Sequence, residues 1–325
     1  MHQLLLIALA GVVAQLVDGA LGVGFGATST TMLVGLVALS PATASAVVHT
    51  AELGTSLASG ASHWRFGNVD WRLALRIGLP GAIGAGVGAT ALSHLPAEAA
   101  RPVMALIIAG IGVRLVWRYS RGERQRTLAA KPHSPWFLGG LGFFGGLIDA
   151  TGGGGWGPVT TSTLLASGRT TPRRIIGTVN TAEFLVAAGA TMGFVIGLWQ
   201  QLASHLAAVA ALLAGGVIAA PLAAWLVSRF NPIALGAVVG TALVVLNAPV
   251  ALAAAGVGPG WLWAVRVAAV AIGCAATAAG LRRSGLWRSG LWRSGLWRSG
   301  GARRRRITTV DPDPVPALCA RTQVE

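Results

Sequence analysis

The sequence predicts an all-α, polytopic membrane protein made of two homologous halves, each a broken glycine-rich segment followed by three spans, with one extra span at the C-terminal side. Composition is the first observation: 54% of the 325 residues are hydrophobic and 11% charged, with a mean hydropathy of +0.66. Soluble domains carry about 25% charged residues. The second is length: apolar runs of about 20 residues recur between short polar breaks, as spanning helices require, whereas barrel strands are about 10 residues long and alternate. The third is a self-match, the signature of an internal repeat. Laid on 149–183 without a gap, 18–52 pairs Asp18 with Asp149, Gly22 with Gly153, Gly24 with Gly155, Gly26 with Gly157, Thr30 with Thr161, Pro41 with Pro172, Thr50 with Thr181 and Glu52 with Glu183.

The formal net charge of +15 lies mostly in loops and in an Arg-rich tail. That placement reads as an orientation signal and as contact with membrane lipids, not as a nucleic-acid surface. Cys274 and Cys319 offer neither a disulfide framework nor a metal-ligand spacing, and no cofactor motif is present. The apolar run 4–17 follows no Lys or Arg, and its Asp-plus-glycine sequel recurs deep in the chain, so it is expected to be retained rather than cleaved.

Taken in order, segment 4–39 is too long for one span and is interrupted at 18–26 by glycines that a straight helix disfavours. It reads as two half-helices. Pro41 opens a helix over 42–62 that carries His49 and Glu52. A polar loop with His63, Arg65, Asp70, Arg72 and Arg76 precedes a span over 73–92, a turn at 93–96 and a span over 102–117. The basic stretch 118–135 links the halves. The second half repeats the order: a broken segment over 136–167, a basic turn at 169–174, spans over 178–198 and 202–227, a turn at 229–232 and a span to 255. Pro80 is expected to correspond to Pro221. Residues 261–281 suffice for one more span, and the tail from 282, with its repeated Arg-Ser-Gly-Leu-Trp, reads as disordered and membrane-proximal, the alternative being simple duplication drift without function. The expected organisation is therefore 1–117, first repeat; 118–135, cytoplasmic linker; 136–255, second repeat; 256–281, extra span; 282–325, tail.

Charge decides how the broken segments sit. If they cross the membrane, the basic turns at Arg169, Arg173, Arg174 and Arg229 fall on the side opposite the basic linker. If each is a re-entrant hairpin with arms of about 13 residues, roughly 20 Å long, the chain returns to the side it came from. The loops with Arg65, Arg72 and Arg76, the linker, the turns and the tail then all face the cytoplasm, leaving Arg101 and Arg266 outside. With three full spans per repeat, the second repeat is inverted relative to the first, a transporter plan whose site lies at the midplane between broken helices.

Of the ten acidic residues, Asp70, Glu98, Glu123, Asp311, Asp313 and Glu325 fall in loops or tail. The other four are Asp18, Glu52, Asp149 and Glu183. An ionisable group at membrane depth costs at least about 2.5 kcal/mol, which makes these four candidates for coupling, with His49 and its counterpart Asn180 beside them. The alternative for each is a hydrogen-bonded packing group. A half-helix starting near Gly26, and another at Pro158 just after Gly157, would each aim free N–H groups and a positive dipole end at the centre, an arrangement that binds anions. The substrate-binding candidates are therefore Gly22, Gly24, Gly26, Thr28, Thr30, Gly153, Gly155, Gly157, Thr160 and Thr161. Their alternative role is to let helices approach closely. Gly-x-Gly-x-Gly at 22–26 is no nucleotide fingerprint, because no strand precedes it and no phosphate-binding Lys follows.

With Asp-Gly-Ala-Leu-Gly-Val-Gly-Phe-Gly at 18–26, Thr-Ala-Glu at 50–52 and again at 181–183, Gly-Ala-Ser-His-Trp-Arg-Phe-Gly at 60–67, Pro80-Gly81 and the glycine run 149–157 followed by Pro158, the sequence resembles the TauE/SafE sulfite exporter family over roughly 4–255. The resemblance implies a cytoplasmic-membrane permease for small anions of oxidised sulfur, such as sulfite, sulfoacetate or other sulfonates. The span after Gly256 and the Trp-Arg tail are additions to that pattern. The expected function is a secondary transporter working by alternating access. A passive anion channel is the alternative, and an intramembrane enzyme using two carboxylates a more distant one, with no serine-histidine pair or metal-ligand helix to support it.

Overall fold

The computed structural model describes residues 2–21, 25–122, 133–167, 172–227 and 232–283. Gly22, Gly24, the linker over 123–132, the turns over 168–171 and 228–231 and the tail from 284 lie outside the described residues. All regular structure among them is helical. The first half contains α1 (His2–Leu21), α2 (Phe25–Leu36), α3 (Pro41–Arg65), α4 (Trp71–His94) and α5 (Ala97–Ser120). The second contains α6 (Pro135–Gly152), a π-helical turn (Gly157–Thr161) that runs into α7 (Ser162–Ser167), then α8 (Pro172–Ser204), α9 (Leu206–Val227) and α10 (Pro232–Ala254). Last comes α11 (Pro259–Arg283). A pair of helices broken at glycines followed by three long helices thus occurs twice.

Local chemistry sets several boundaries. Asp70 caps α4 by accepting from the Leu73 N–H at 3.1 Å, and Ser134 caps α6 through Phe137 N–H at 3.3 Å with Pro135 in the first turn. α6 stops because Gly153 takes the left-handed conformation at φ 67°. Three expected spans shift: the one over 102–117 starts five residues earlier, as α5 (Ala97–Ser120). The one over 178–198 extends in both directions as α8, with a kink at Leu198 (φ −138°, ψ 30°), and the one over 202–227 starts at Leu206. Among the described residues, five helices are long and apolar enough to cross a membrane: Trp71–His94, Ala97–Ser120, Arg174–Ser204, Gly236–Ala254 and Pro259–Arg283. α3 has comparable length, but His49, Glu52 and several hydroxyl residues lower its hydropathy.

Helices pack in exchanged pairs: α1 against α9 and α6 against α4, while α5 crosses α10 and α3 crosses α8. Small residues permit backbone-to-backbone approach at these crossings. A Cβ on Gly11 would lie 2.3 Å from the Leu212 carbonyl oxygen, and one on Gly142 would lie 2.2 Å from that of Ile77. Gly112 and Gly240 face each other's carbonyls in the same way at 2.6 and 2.7 Å. Because Gly11 aligns with Gly142, these contacts put Ile77 in register with Leu212. Pro80 therefore corresponds to Gly215 and not, as the sequence suggested, to Pro221.

Polar contacts tie helix ends together. His133 Nε2 lies 2.8 Å from Ser167 Oγ, so the end of α7 returns to the start of α6. Asp70 N–H donates to Thr178 Oγ1 at 2.9 Å, and Asp70 also pairs with Arg174 at 3.5 Å. The end of α11 meets that of α5 where Arg283 Nη1 donates to the Ser120 carbonyl at 3.1 Å.

The tightest crossing supplies a test. Gly146 of α6 would place a Cβ 2.1 Å from the Gly81 carbonyl, whereas Gly139 of the same helix has nothing within 4 Å. Overpacking costs about 1–3 kcal/mol. Gly146→Ala should lower the thermal midpoint in detergent by several degrees, and Gly139→Ala should leave it unchanged or slightly higher.

Candidate functional site

The two breaks touch each other at the centre of the molecule. A Cβ on Gly26 would lie 2.4 Å from the Gly153 carbonyl oxygen and 2.6 Å from Gly154 Cα, and Thr30 Oγ1 donates to that Gly153 carbonyl at 3.0 Å. Beside this contact is a small cavity lined by Asp18, Phe25, Gly26, Glu52, Asp149, Gly154, Gly157, Pro158, Asn180 and Glu183. A second cleft shares Asp18, Phe25, Glu52, Asn180 and Glu183 and runs along Gln15, Thr55, Ser56 and Ser59. The four acids singled out from the sequence therefore share one cavity, although they come from α1, α3, α6 and α8.

Asp149 closes the second break on itself. Its Oδ1 accepts from Gly155 N–H at 2.6 Å and Trp156 N–H at 2.8 Å, while its backbone carbonyl accepts from Gly154 N–H at 3.0 Å. The chain can turn back so sharply because Gly153 and Gly154 adopt φ of 67° and 150°, which residues with a Cβ rarely reach. The carboxylate thus takes the place of an anion at the start of the π-turn and α7. Asp18 stands in the same relation to the first break, hydrogen-bonded to the backbone of Phe25, the residue aligned with Trp156. The N–H groups that the sequence reading left free for an anion are therefore occupied by aspartates.

His49 lies behind Glu52. Its Nδ1 is 2.9 Å from Glu52 Oε2 and 3.8 Å from Asp149 Oδ2, and its Nε2 is 3.3 Å from the Asp149 carbonyl oxygen. The ring stacks on Phe194 with centroids 6.1 Å apart. All three are buried, with relative exposures of 0% for His49, 4% for Glu52 and 3% for Asp149, and Glu52 and Asp149 line the cavity. Their ligand atoms lie within 4.8 Å of one another, close enough to share one cation. Asn180, Glu183 and Asp18 are only half-buried, and Asn180 Nδ2 reaches Ser59 Oγ at 3.4 Å.

The remaining candidates divide. Gly157 lines the cavity, and Gly155 gives its N–H to Asp149. The Thr160 hydroxyl donates to the Trp156 carbonyl and so, like that of Thr30, is committed to backbone. The Thr28 and Thr161 hydroxyls are buried without a hydrogen-bond partner among the described residues. Two arginines of α5 are additions. Arg114 donates from Nε to the Pro158 carbonyl at 3.1 Å and from Nη2 to Thr163 Oγ1 at 3.2 Å, and Arg118 Nη1 donates to Ser162 Oγ at 2.7 Å. They pin the returning arm of the second break. On the first arm Asn247 of α10 does the equivalent, its Nδ2 donating to Thr31 Oγ1 at 3.2 Å. The depth criterion that picked out the acids finds Arg114 as soon as it is applied to basic residues.

The sulfite exporter TauE/SafE family model matches residues 7–250. The chain belongs to that family. It is also 43% identical over 255 residues, 76% of this chain and 82% of the relative, to the probable membrane transporter protein YtnM of Bacillus subtilis (strain 168). No solved structure matches. Family membership and the apolar helices make this a multi-pass integral membrane protein of a transporter family.

Charge-assisted hydrogen bonds contribute about 1.5–3 kcal/mol each. Asp149→Ala, which leaves two buried N–H groups unpaired, should lower the detergent thermal midpoint by well over the effect of Asp149→Asn, which keeps an acceptor oxygen. Equal midpoints for the two variants would show that the break does not depend on this cap.

Proposed function

We propose that the protein is a secondary transporter for a small anion of oxidised sulfur, sulfite or an organosulfonate, working by alternating access at the central cavity. One observation carries this reading: both helix breaks and all four intramembrane acids line one cavity between two sets of three long helices. A packing role for each acid separately gives no reason for the four to converge.

The halves, 1–117 and 136–255, are read as inverted repeats with re-entrant broken segments. The return of α7 to the start of α6 at His133 and Ser167 supports a hairpin that enters and leaves on one face. The charge distribution supports the same face being cytoplasmic: Arg65, Arg72, Arg76, Arg118, Arg121, Arg174, Arg282 and Arg283 sit at helix ends that three alternating crossings per repeat bring to one side, with Arg101 and Arg266 at the other.

Electrostatics constrains the mechanism. Among the described residues no Lys or Arg lines the cavity, and two unit charges 4 Å apart at an effective dielectric near 20 interact by about 4 kcal/mol. An anion therefore cannot enter beside four ionised carboxylates unless cations or protons come with it. A proton on Glu52 or Glu183 removes one negative charge and turns an acceptor into a hydrogen-bond donor for an oxyanion. The lining supports coupling to a cation gradient, in which the anion and its counter-charge exchange sides together.

Labelled sulfite flux in proteoliposomes tests this. Accumulation against a sulfite gradient, driven by a proton or sodium gradient, is expected. Glu52→Gln and Glu183→Gln should each reduce driven accumulation at least about tenfold. Flux that only follows the sulfite gradient would make the protein a channel, and normal accumulation in both variants would remove the coupling role.

A further inference from the structure

His49 and Glu52 stand three residues apart on one face of α3, where Asp149 of α6 meets them. His49 Nδ1 lies 2.9 Å from Glu52 Oε2 and 3.8 Å from Asp149 Oδ2. The shorter approach is misaligned for a hydrogen bond. Nδ1 and Oε2 are both buried polar atoms without a hydrogen-bond partner among the described residues. Leaving such an atom unpaired costs about 1–3 kcal/mol. Two orphaned atoms this close, with a carboxylate oxygen beside them, are what a single metal ion would satisfy together.

The separations fit one ion. Imidazole and carboxylate ligands sit about 2.0–2.2 Å from a zinc-like ion, so any two of them lie at most about 4.4 Å apart. Both distances from Nδ1 are within that limit. The three ligand atoms all fall within 4.8 Å of one another, so the two carboxylates need little or no movement to meet it. The surroundings also hold these ligands as metal sites do. His49 Nε2 is 3.3 Å from the Asp149 carbonyl oxygen, which only accepts, so Nε2–H is the donor in that contact and a neutral ring keeps its lone pair at Nδ1. Asp149 Oδ1 accepts from Gly155 and Trp156 N–H, which fixes the carboxylate with Oδ2 toward His49. Glu52 and Asp149 line the cavity, so an ion has a way in and coordination positions open to that space.

We propose that His49 Nδ1, Glu52 and Asp149 bind one divalent first-row transition-metal ion at the wall of the central cavity. One nitrogen with two carboxylates suits zinc or manganese, whereas magnesium and calcium take oxygen ligands. A divalent ion between two carboxylates and a neutral ring carries no net charge, which removes the cost of holding both acids ionised at depth. The second half has Asn180 where His49 stands, so it lacks the nitrogen ligand. Binding itself requires no transport; only what the ion does for an anion in the cavity rests on the transporter reading.

The test strips tag-free, full-length protein with a chelator in detergent and titrates it with zinc, manganese or magnesium, following the heat of binding and the thermal midpoint. One equivalent of zinc or manganese per chain should bind and raise the midpoint by several degrees, with magnesium at least about tenfold weaker. His49→Asn, which copies the aligned Asn180, should weaken zinc binding at least about a hundredfold, more than the loss of a supporting contact would. Glu183→Gln removes an acid of the same cavity but no ligand and should weaken it far less. Should His49→Asn fail to fold, Glu52→Gln carries the same expectation. A stripped parent that binds neither zinc nor manganese overturns the proposal and leaves a proton between His49 and Glu52 as the occupant. Equal losses in His49→Asn and Glu183→Gln overturn it too, because the ion would then be held by the charge of the cavity alone. Zinc binding at this site in a protein that moves no sulfite would leave the site standing and remove the transport reading instead.

Discussion

A carboxylate at membrane depth must find partners or lose its charge, and much of this structure supplies partners for four of them. Asp149 folds the second break around its own side chain by binding two successive N–H groups, and Asp18 binds Phe25 across the first. Glu52 leans on His49. Among the described residues Glu183 is given neither a cap nor a base, and it lines both clefts. The aspartates thus shape the backbone, and the glutamates face the space that the backbone encloses.

Holding two broken helices tip to tip requires the surrounding helices to come close and stay put. Glycine–carbonyl crossings at Gly11, Gly142 and the Gly112–Gly240 pair provide the approach. The pins differ in strength: two guanidiniums of α5 grip the second returning arm, and a single amide of α10 grips the first. Charge-assisted bonds exceed neutral ones about twofold, so the first arm is the more weakly held. Together with the exchange of His49 for Asn180, this makes the halves similar in plan and unequal in energetics.

Much of this was legible in the chain. Composition and run length suffice for a helical membrane protein, and the gap-free self-match locates both breaks and all four acids, because ionisable residues are too costly at depth to be scattered there. The role of Asp149 as a cap was not legible, since a run of glycines reveals a turn without revealing which N–H groups it presents or what takes them. Arg114 escaped because the census of charges at depth stopped at acids. The correspondence of Pro80 was misjudged because prolines are conspicuous in sequence, while register is set by where a missing Cβ lets a carbonyl approach. The extension of α8 from the expected 178 back to Pro172 follows from proline's suitability for a first helical turn, a signal present in the sequence and overlooked.

A central site shared by both repeats requires the broken segments to be opposed hairpins that meet there. Labelling of single cysteines with a membrane-impermeant maleimide, in a background with Cys274 and Cys319 replaced by serine, measures this directly. Cysteines at Ser134 and Ser167, which bracket the second segment, should both react from the cytoplasmic face. Those at Gln3 and Ser40, which bracket the first, should both react from the opposite face. Reaction of the two ends of either segment from different faces would mean that it crosses the membrane, and would contradict the inverted arrangement on which the central cavity depends.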